Sequence, residues 1–308
     1  MSNSVTGHTA NASASVAKGE ILLEARGLSK GFPGVWQHLI LDRLDFDVRA
    51  GEVHTLLGEN GAGKTVIANI LSGYYGKTEG EIRVQGKPVT FESPRDGLAH
   101  GIAMVHQELM LVPAFTVAQN VMVGLNAPAF SFRLDEVERR LDELVAHYGL
   151  QVDPRALVED LSAGEQQRVE ILKVLFHEPQ VLLLDEPTSL LTPYEADQLF
   201  VVLRAMADEG KGVVFISHKM REVFAVSDRV TVLKLGKMQG TCHIGETTED
   251  ELTRRTFGET VPDYMERPPV RSDHPAIEVR GLIPAGLEKK APASGISFTL
   301  RQGEILGL

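Results

Sequence analysis

One octapeptide constrains the fold of this 308-residue chain more than any other feature. Residues 58–65 read Gly58, Glu59, Asn60, Gly61, Ala62, Gly63, Lys64 and Thr65, the pattern G-x-x-x-x-G-K-[ST]. Glycines let the backbone turn so tightly that consecutive N–H groups converge on phosphate oxygens. Lys64 is placed to reach the β- and γ-phosphates, and the Thr65 hydroxyl to ligate Mg²⁺. The flanks agree with a P-loop: residues 54–57 read as a short strand, and residues 66–71 read as a helix. Such a helix start presents about half a positive charge to the phosphates. A strand, a phosphate loop and a helix in that order call for an α/β fold that binds a nucleoside triphosphate. A dinucleotide-binding loop fits less well, because the run from Gly61 is G-x-G-K-T-V with no third glycine at position 66.

The rest of the chain fits an α/β P-loop protein. Short apolar runs alternate with helical patterns. Ser93 and Pro94 read as a helix start, Gly101 as its end, and residues 102–105 as a strand. Apolar residues at 134, 137, 141, 144, 145 and 148 form one helical stripe that Gly149 should stop. No apolar run approaches the roughly 18 residues of a membrane helix. The single cysteine, Cys242, excludes an internal disulfide. A net charge of −11 argues against a nucleic-acid partner. Residues 1–20 lack the apolar core of a signal peptide and read as a disordered tail, where the sequon at Asn11 is a chance match.

The C-terminal stretch repeats the beginning. Glu278, Val279, Arg280, Gly281 and Leu282 echo Glu24, Ala25, Arg26, Gly27 and Leu28. Residues 298–305 echo residues 46–53, with Phe298 matching Phe46 and Glu304 matching Glu52. Two blocks in the same order at nearly the same offset mark an internal repeat. By that alignment the sequence stops two positions before a second phosphate loop would begin. Residues 259–275, rich in proline and charge, read as a linker, which leaves residues 276–308 as the incomplete start of a second domain.

Two further segments carry chemistry. Residues 181–184 are apolar and run into Asp185 and Glu186, then Pro187. A strand-end Asp in a P-loop enzyme binds Mg²⁺ directly or through water, and an adjacent Glu serves as general base. Ser162 and Glu165 form a capping box ahead of a helix with Val169, Leu172 and Phe176 on one face. That box is read either as a helix start alone or, with Gly164, as a site for the γ-phosphate of another domain's nucleotide.

With Gln107 and His218 these motifs resemble those of the ATP-binding cassette (ABC) ATPases, in family order from about residue 21 to residue 308. Specifically, they resemble the ATP-binding subunits of bacterial importers for ribose- or galactose-type sugars and for nucleosides. The resemblance implies an ABC ATPase fold: a RecA-like sheet core, an antiparallel β subdomain, and a helical subdomain at about residues 108–176. It implies one cassette over residues 21–258, with ATP and Mg²⁺ as cofactors. Phe32 is similar to the aromatic that stacks on adenine, and residues 58–65 with Val66 to the Walker A loop. Gln107 resembles the Q-loop glutamine, which senses Mg²⁺ and the permease. Ser162 and Gly164 resemble the signature motif, Asp185 and Glu186 the Walker B pair, residues 189–192 the D-loop, and His218 the switch histidine. The implied catalytic set is Lys64, Gln107, Glu186 and His218, with Thr65, Gln107 and Asp185 at the metal. The implied partners are integral-membrane permease subunits, a second ABC domain and, indirectly, a solute-binding protein. The implied location is the cytoplasmic face of the bacterial plasma membrane.

The chain departs from the family pattern in places. The family usually reads Lys-Ser-Thr where this chain has Lys64, Thr65 and Val66, so Val66 loses a hydroxyl to the α-phosphate, a bond worth about 1.5–3 kcal/mol. The signature reads Leu-Ser-Ala-Gly-Glu, and Thr192 replaces the usual D-loop Asp. Two alternative readings are a soluble tandem cassette protein without a permease, and a form that binds ATP but hydrolyses it poorly.

Overall fold

Apolar runs in this chain are buried on both sides, and that sets the architecture. The computed structural model describes residues 17–32, 39–124, 133–258, 274–283 and 295–307. The chain divides into two compact units, the second beginning at Thr260. The first contains β1 (Ile21–Lys30), β2 (Leu41–Arg49), β3 (Glu52–Leu57), α1 (Lys64–Leu71), β4 (Glu79–Val84), β5 (Lys87–Val89), α2 (Pro94–Ala99) and β6 (Ile102–Val105). It continues with α3 (Val117–Val123), α4 (Leu134–Tyr148), α5 (Ala163–Leu175), β7 (Val181–Asp185), α6 (Pro193–Asp208) and β8 (Gly212–Ser217). It ends with α7 (Met220–Val226), β9 (Arg229–Lys234), β10 (Lys237–His243) and α8 (Glu249–Phe257).

The central sheet has six strands in the order β10-β9-β3-β8-β7-β6. All neighbours are parallel except β10, which pairs antiparallel with β9. One strand, β8, separates the P-loop strand β3 from β7, the order of a RecA-like core. Side chains alternate between two cores. In β7, Leu182 and Leu184 face one core while Val181 and Leu183 face the other, and in β8 Val213 and Phe215 oppose Val214 and Ile216. Helices α3–α6 cover the first core. The four-stranded antiparallel sheet β2-β1-β4-β5 and α1 cover the second. Burial on both faces is why these strands read as unbroken apolar runs.

Local signals place the helices. Helix α4 buries Val137 and Leu141 and stops at Gly149, whose φ of 69° is left-handed. Helix α2 starts at Pro94 behind a Ser93–Asp96 capping box, and Gly101 follows its cap, His100. The Ser162–Glu165 box is formed at α5. Residues 108–176 hold α3, α4 and α5, packed on one another and on β6. Strand β3 begins two residues earlier than its sequence pattern, and α1 begins at Lys64 because the chain is already helical once it leaves Gly63. Residues 1–16 of the N-terminal tail and 259–273 of the linker lie outside the described residues.

The second unit contains β11 (Pro275–Leu282) and β12 (Ile296–Arg301), paired antiparallel. Its register repeats that of β1 and β2. Glu278 lies opposite Thr299 and Val279 opposite Phe298, as Glu24 lies opposite Asp47 and Ala25 opposite Phe46. Both pairs then shift register before Leu28–Leu44 and Leu282–Ile296.

Candidate nucleotide site

The P-loop follows β3 and is shaped by close packing. Gly58 lies under β9, where a Cβ would come 2.4 Å from the Leu233 carbonyl oxygen. Gly63 adopts φ 108° at the start of α1, which has no side-chain cap and no acid in its first turn. Its first N–H groups are therefore available to phosphate oxygens. Lys64 is buried, and its Nζ donates to the carbonyls of Gly58 and Glu59 at 2.8 and 2.9 Å. Burial pulls the Lys64 pKa down, while Glu186 and Asp185 pull it back up.

Around this loop lies an open pocket of about 430 Å³, lined by Ile40, Asn60, Gly61, Gly63, Lys64, Thr65, Val66, Gln107 and Glu186. The structure thus brings together residues from four stretches: the P-loop, the residue before β2, the end of β6 and the end of β7. Ile40 carried no sequence signal, since it precedes β2 in a segment without a motif.

Glu186 sits just past β7 with φ 45°, a left-handed conformation that a non-glycine residue adopts at a cost of about 1–3 kcal/mol. Its backbone N–H donates to the Ile216 carbonyl at 3.1 Å, which fixes that turn to β8. Its Oε1 lies 3.1 Å from His218 Nδ1 and 4.0 Å from Lys64 Nζ. His218, just past the end of β8, and Glu186, just past the end of β7, are therefore joined across neighbouring strand ends. Asp185 is 1% exposed, and neither carboxylate oxygen accepts a hydrogen bond of ordinary geometry. Burial raises its pKa, and the adjacent Thr65 side chain offsets part of that shift. A buried carboxylate with two unpartnered oxygens beside a threonine hydroxyl fits a hard divalent cation with oxygen ligands.

Phe32, Ser162 and Gly164 are not among the residues that line the pocket. The Phe32 ring packs edge-on against Tyr75 at 5.5 Å, with Lys30 Nζ 4.7 Å from its centroid. Ser162 and Gly164 lie at the start of α5. The Ser162 hydroxyl donates to Glu165 Oε2 at 2.7 Å, and hydrogen bonds from Ser162 hold the Glu165 pKa down. Gly164 is packed so tightly that a Cβ would lie 2.1 Å from Glu195 Oε1. The other oxygen of Glu195 accepts from the Thr192 hydroxyl at 2.8 Å and its backbone N–H at 2.9 Å. Thr192 is thus the N-cap of α6 in a second capping box. Thr and Asp both cap helices, so Thr192 fills the capping role an Asp would have there.

Comparisons with known proteins agree with this geometry. Residues 41–189 match the family model described as ABC transporter. The chain is 39% identical to the glucose import ATP-binding protein TsgD13 of Haloferax volcanii over 94% of its own length, and 39% identical to the nucleoside import ATP-binding protein NupA of Lactococcus lactis over 87%. It is 42% identical to ribose import ATP-binding protein RbsA 1 of Rubrobacter xylanophilus over 93%. It spans only 57%, 53% and 56% of those relatives' lengths, about half of each. Among solved structures, cbiO1 from Clostridium perfringens, part of the ABC transporter complex cbiONQ, superimposes with a TM-score of 0.65 at 28% identity, covering 77% of this chain and 94% of that one. A nucleotide-free ATP-binding cassette from an ABC transporter gives 0.66 at 21% identity, covering 76% and 94%. This chain carries an ATP-binding domain of the ABC transporter family.

Proposed function

We propose that this chain binds and hydrolyses ATP to power import of a simple sugar or nucleoside through an integral-membrane permease. The observation that carries the proposal is the convergence of Lys64, Thr65, Gln107 and Glu186 on one pocket, with His218 bonded to Glu186 and Asp185 unpartnered behind Thr65. The P-loop N–H groups and Lys64 hold the phosphates, and the Phe32 side chain stacks on the base. Asp185, Thr65 and Gln107 hold Mg²⁺, which when bound neutralises charge on the phosphate oxygens. Glu186 takes a proton from water as the water oxygen bonds to the γ-phosphorus and ADP leaves with the electrons of the broken P–O bond. His218 orients Glu186 and stabilises charge on the transferred group.

Ser162 and Gly164 are not among the residues lining this pocket, which supports a composite site in which they cap the nucleotide of a second cassette. The likeness of β11–β12 to β1–β2 supports a second cassette fused to the first. A groove of about 210 Å³ beside Gln107, lined in part by Tyr74, His106, Met110, Glu170 and Lys173, is where a permease segment would dock. Among the described residues no helix is long and apolar enough to cross a membrane, which fits a peripheral subunit on the cytoplasmic face. Both sugar and nucleoside importers are among the relatives, which supports a solute of that class.

The test is a pair of substitutions. Glu186→Gln should keep ATP affinity within a few-fold and lower turnover by at least about 100-fold, since the general base is lost. Lys64→Ala should lose nucleotide affinity itself. Unchanged hydrolysis in the first, or unchanged binding in the second, overturns the assignment. Stimulation of hydrolysis by permease and loaded binding protein in a reconstituted membrane tests the import role.

A further inference from the structure

We infer that Glu222 is a positioning residue that holds His218 against Glu186; the inference rests on the roles just given to those two residues. Glu222 lies in the first turn of α7 and is buried, and it is not among the residues that line the nucleotide pocket. Its carboxylate gathers donors from both strand-end turns. The Thr188 hydroxyl lies 2.8 Å from each oxygen, the Ser217 hydroxyl donates to Oε2 at 2.7 Å, and Lys219 Nζ lies 2.9 Å from Oε1. Thr188 stands two residues after Glu186, and Ser217 immediately precedes His218. The Ser217 oxygen also accepts from the Lys219 backbone N–H at 3.1 Å, which closes the turn around His218.

One buried carboxylate therefore clamps the two turns that present Glu186 and His218, residues 32 apart in sequence whose side chains meet at 3.1 Å. Both carboxylate oxygens accept. Glutamine has the same shape but no charge, and its NH₂ is met only if the Thr188 or Ser217 hydroxyl turns from donor to acceptor, which rewires the clamp and takes the counter-charge from Lys219. The clamp is satisfied by two hydroxyls and one ammonium, so removing its charge leaves Lys219 without its buried partner.

The experiment uses the full chain with four substitutions: E222Q, E186Q, H218A and the double substitution E222Q/H218A. We expect E222Q to lower kcat at least tenfold with the KM for ATP within twofold. The double variant should be no slower than H218A alone. The imidazole resonances of His218, assigned by their loss in H218A, should shift in E222Q as they do in E186Q. A merely structural role predicts equal losses in both backgrounds together with an unmoved His218 resonance, and that result overturns the inference, as does wild-type turnover in E222Q. If H218A hydrolyses ATP like wild type, the catalytic role of His218 falls, while the resonance still decides whether Glu222 positions it. Should E222Q not fold, T188V removes one arm of the clamp and is read by the same resonance.

Discussion

The strand pairs β1–β2 and β11–β12 share a sequence pattern and a register, yet only one of them lies in a core. The likeness extends to individual bonds. Gly27 and Gly281 both adopt left-handed φ, 57° and 62°, and their N–H groups donate to the matching side chains of Asp45 and Ser297. The Arg49 N–H donates to Glu52, and the Arg301 N–H to Glu304. Arg26 pairs with Glu24 as Arg280 pairs with Glu278. Burial differs: Leu23, Leu28 and Leu44 are buried, whereas their matches Ile277, Leu282 and Ile296 are exposed, and Phe298 is half-buried where Phe46 is buried. Pairing and register are local outcomes of the sequence. Burial depends on what covers the strands, and the first pair rests on the central sheet and α1.

That contrast is open to measurement. The largest expected effect is at Phe46, whose ring is buried and stacks on His54 at 4.6 Å. Phe46→Ala should cost about 3–5 kcal/mol in denaturant unfolding, and Phe298→Ala less than about 1 kcal/mol. Equal costs would mean that the second pair is also packed in solution. The next effect is acid sensitivity. His54 is fully buried between the Asp47 carbonyl and the Thr231 hydroxyl, with Glu52, Arg49 and Arg229 near it. Burial and the Arg229 charge lower its pKa from 6.5 to about 4. Folding therefore favours the neutral ring. Its contribution is complete above pH 6.5 and is lost as pH falls towards 4. Asp47 is pulled to about 2 by Arg229 and Arg49, which outweigh its burial, so its loss comes only at lower pH. Leu306 occupies the position of His54 in the repeat and has no proton to gain. Unfolding midpoints between pH 7 and pH 4 should drop for the wild type and flatten in His54→Gln. A drop of the same slope in that variant would place the acid sensitivity elsewhere. The smallest effect is at Gly27, where nothing within 4 Å opposes a Cβ but φ is positive. Gly27→Ala should cost about 1–2 kcal/mol from backbone conformation alone.

Much of the candidate site is legible in the sequence because its parts are contiguous. The P-loop, the acids ending β7 and the Ser162–Glu165 box each lie within a few residues and follow local rules. The repeat is legible for the same reason, down to the matching glycines. What the sequence withholds is set by partners far along the chain. Ile40 reaches the pocket only because β2 runs beside the P-loop. Glu222 looks like a surface acid on a short helix until β7 and β8 deliver Thr188 and Ser217 to it. Thr192 shows a limit of another kind. Measured against a family pattern it reads as a departure, while the local signal, a Thr followed by Pro193 and then Glu195, already spells a helix start.

The contact between Gly164 and Glu195 changes what a familiar experiment can mean. Replacing a signature glycine normally asks whether a bulky residue blocks a phosphate. Here an added methyl would first strike a carboxylate that is anchored on Thr192, so the insult passes to the start of α6. Gly164→Ala is thus a compound lesion, and Thr192→Ala is the control that separates its parts. A larger residue at this position displaces the Glu195 carboxylate from its bond to Thr192, whether or not a nucleotide ever arrives.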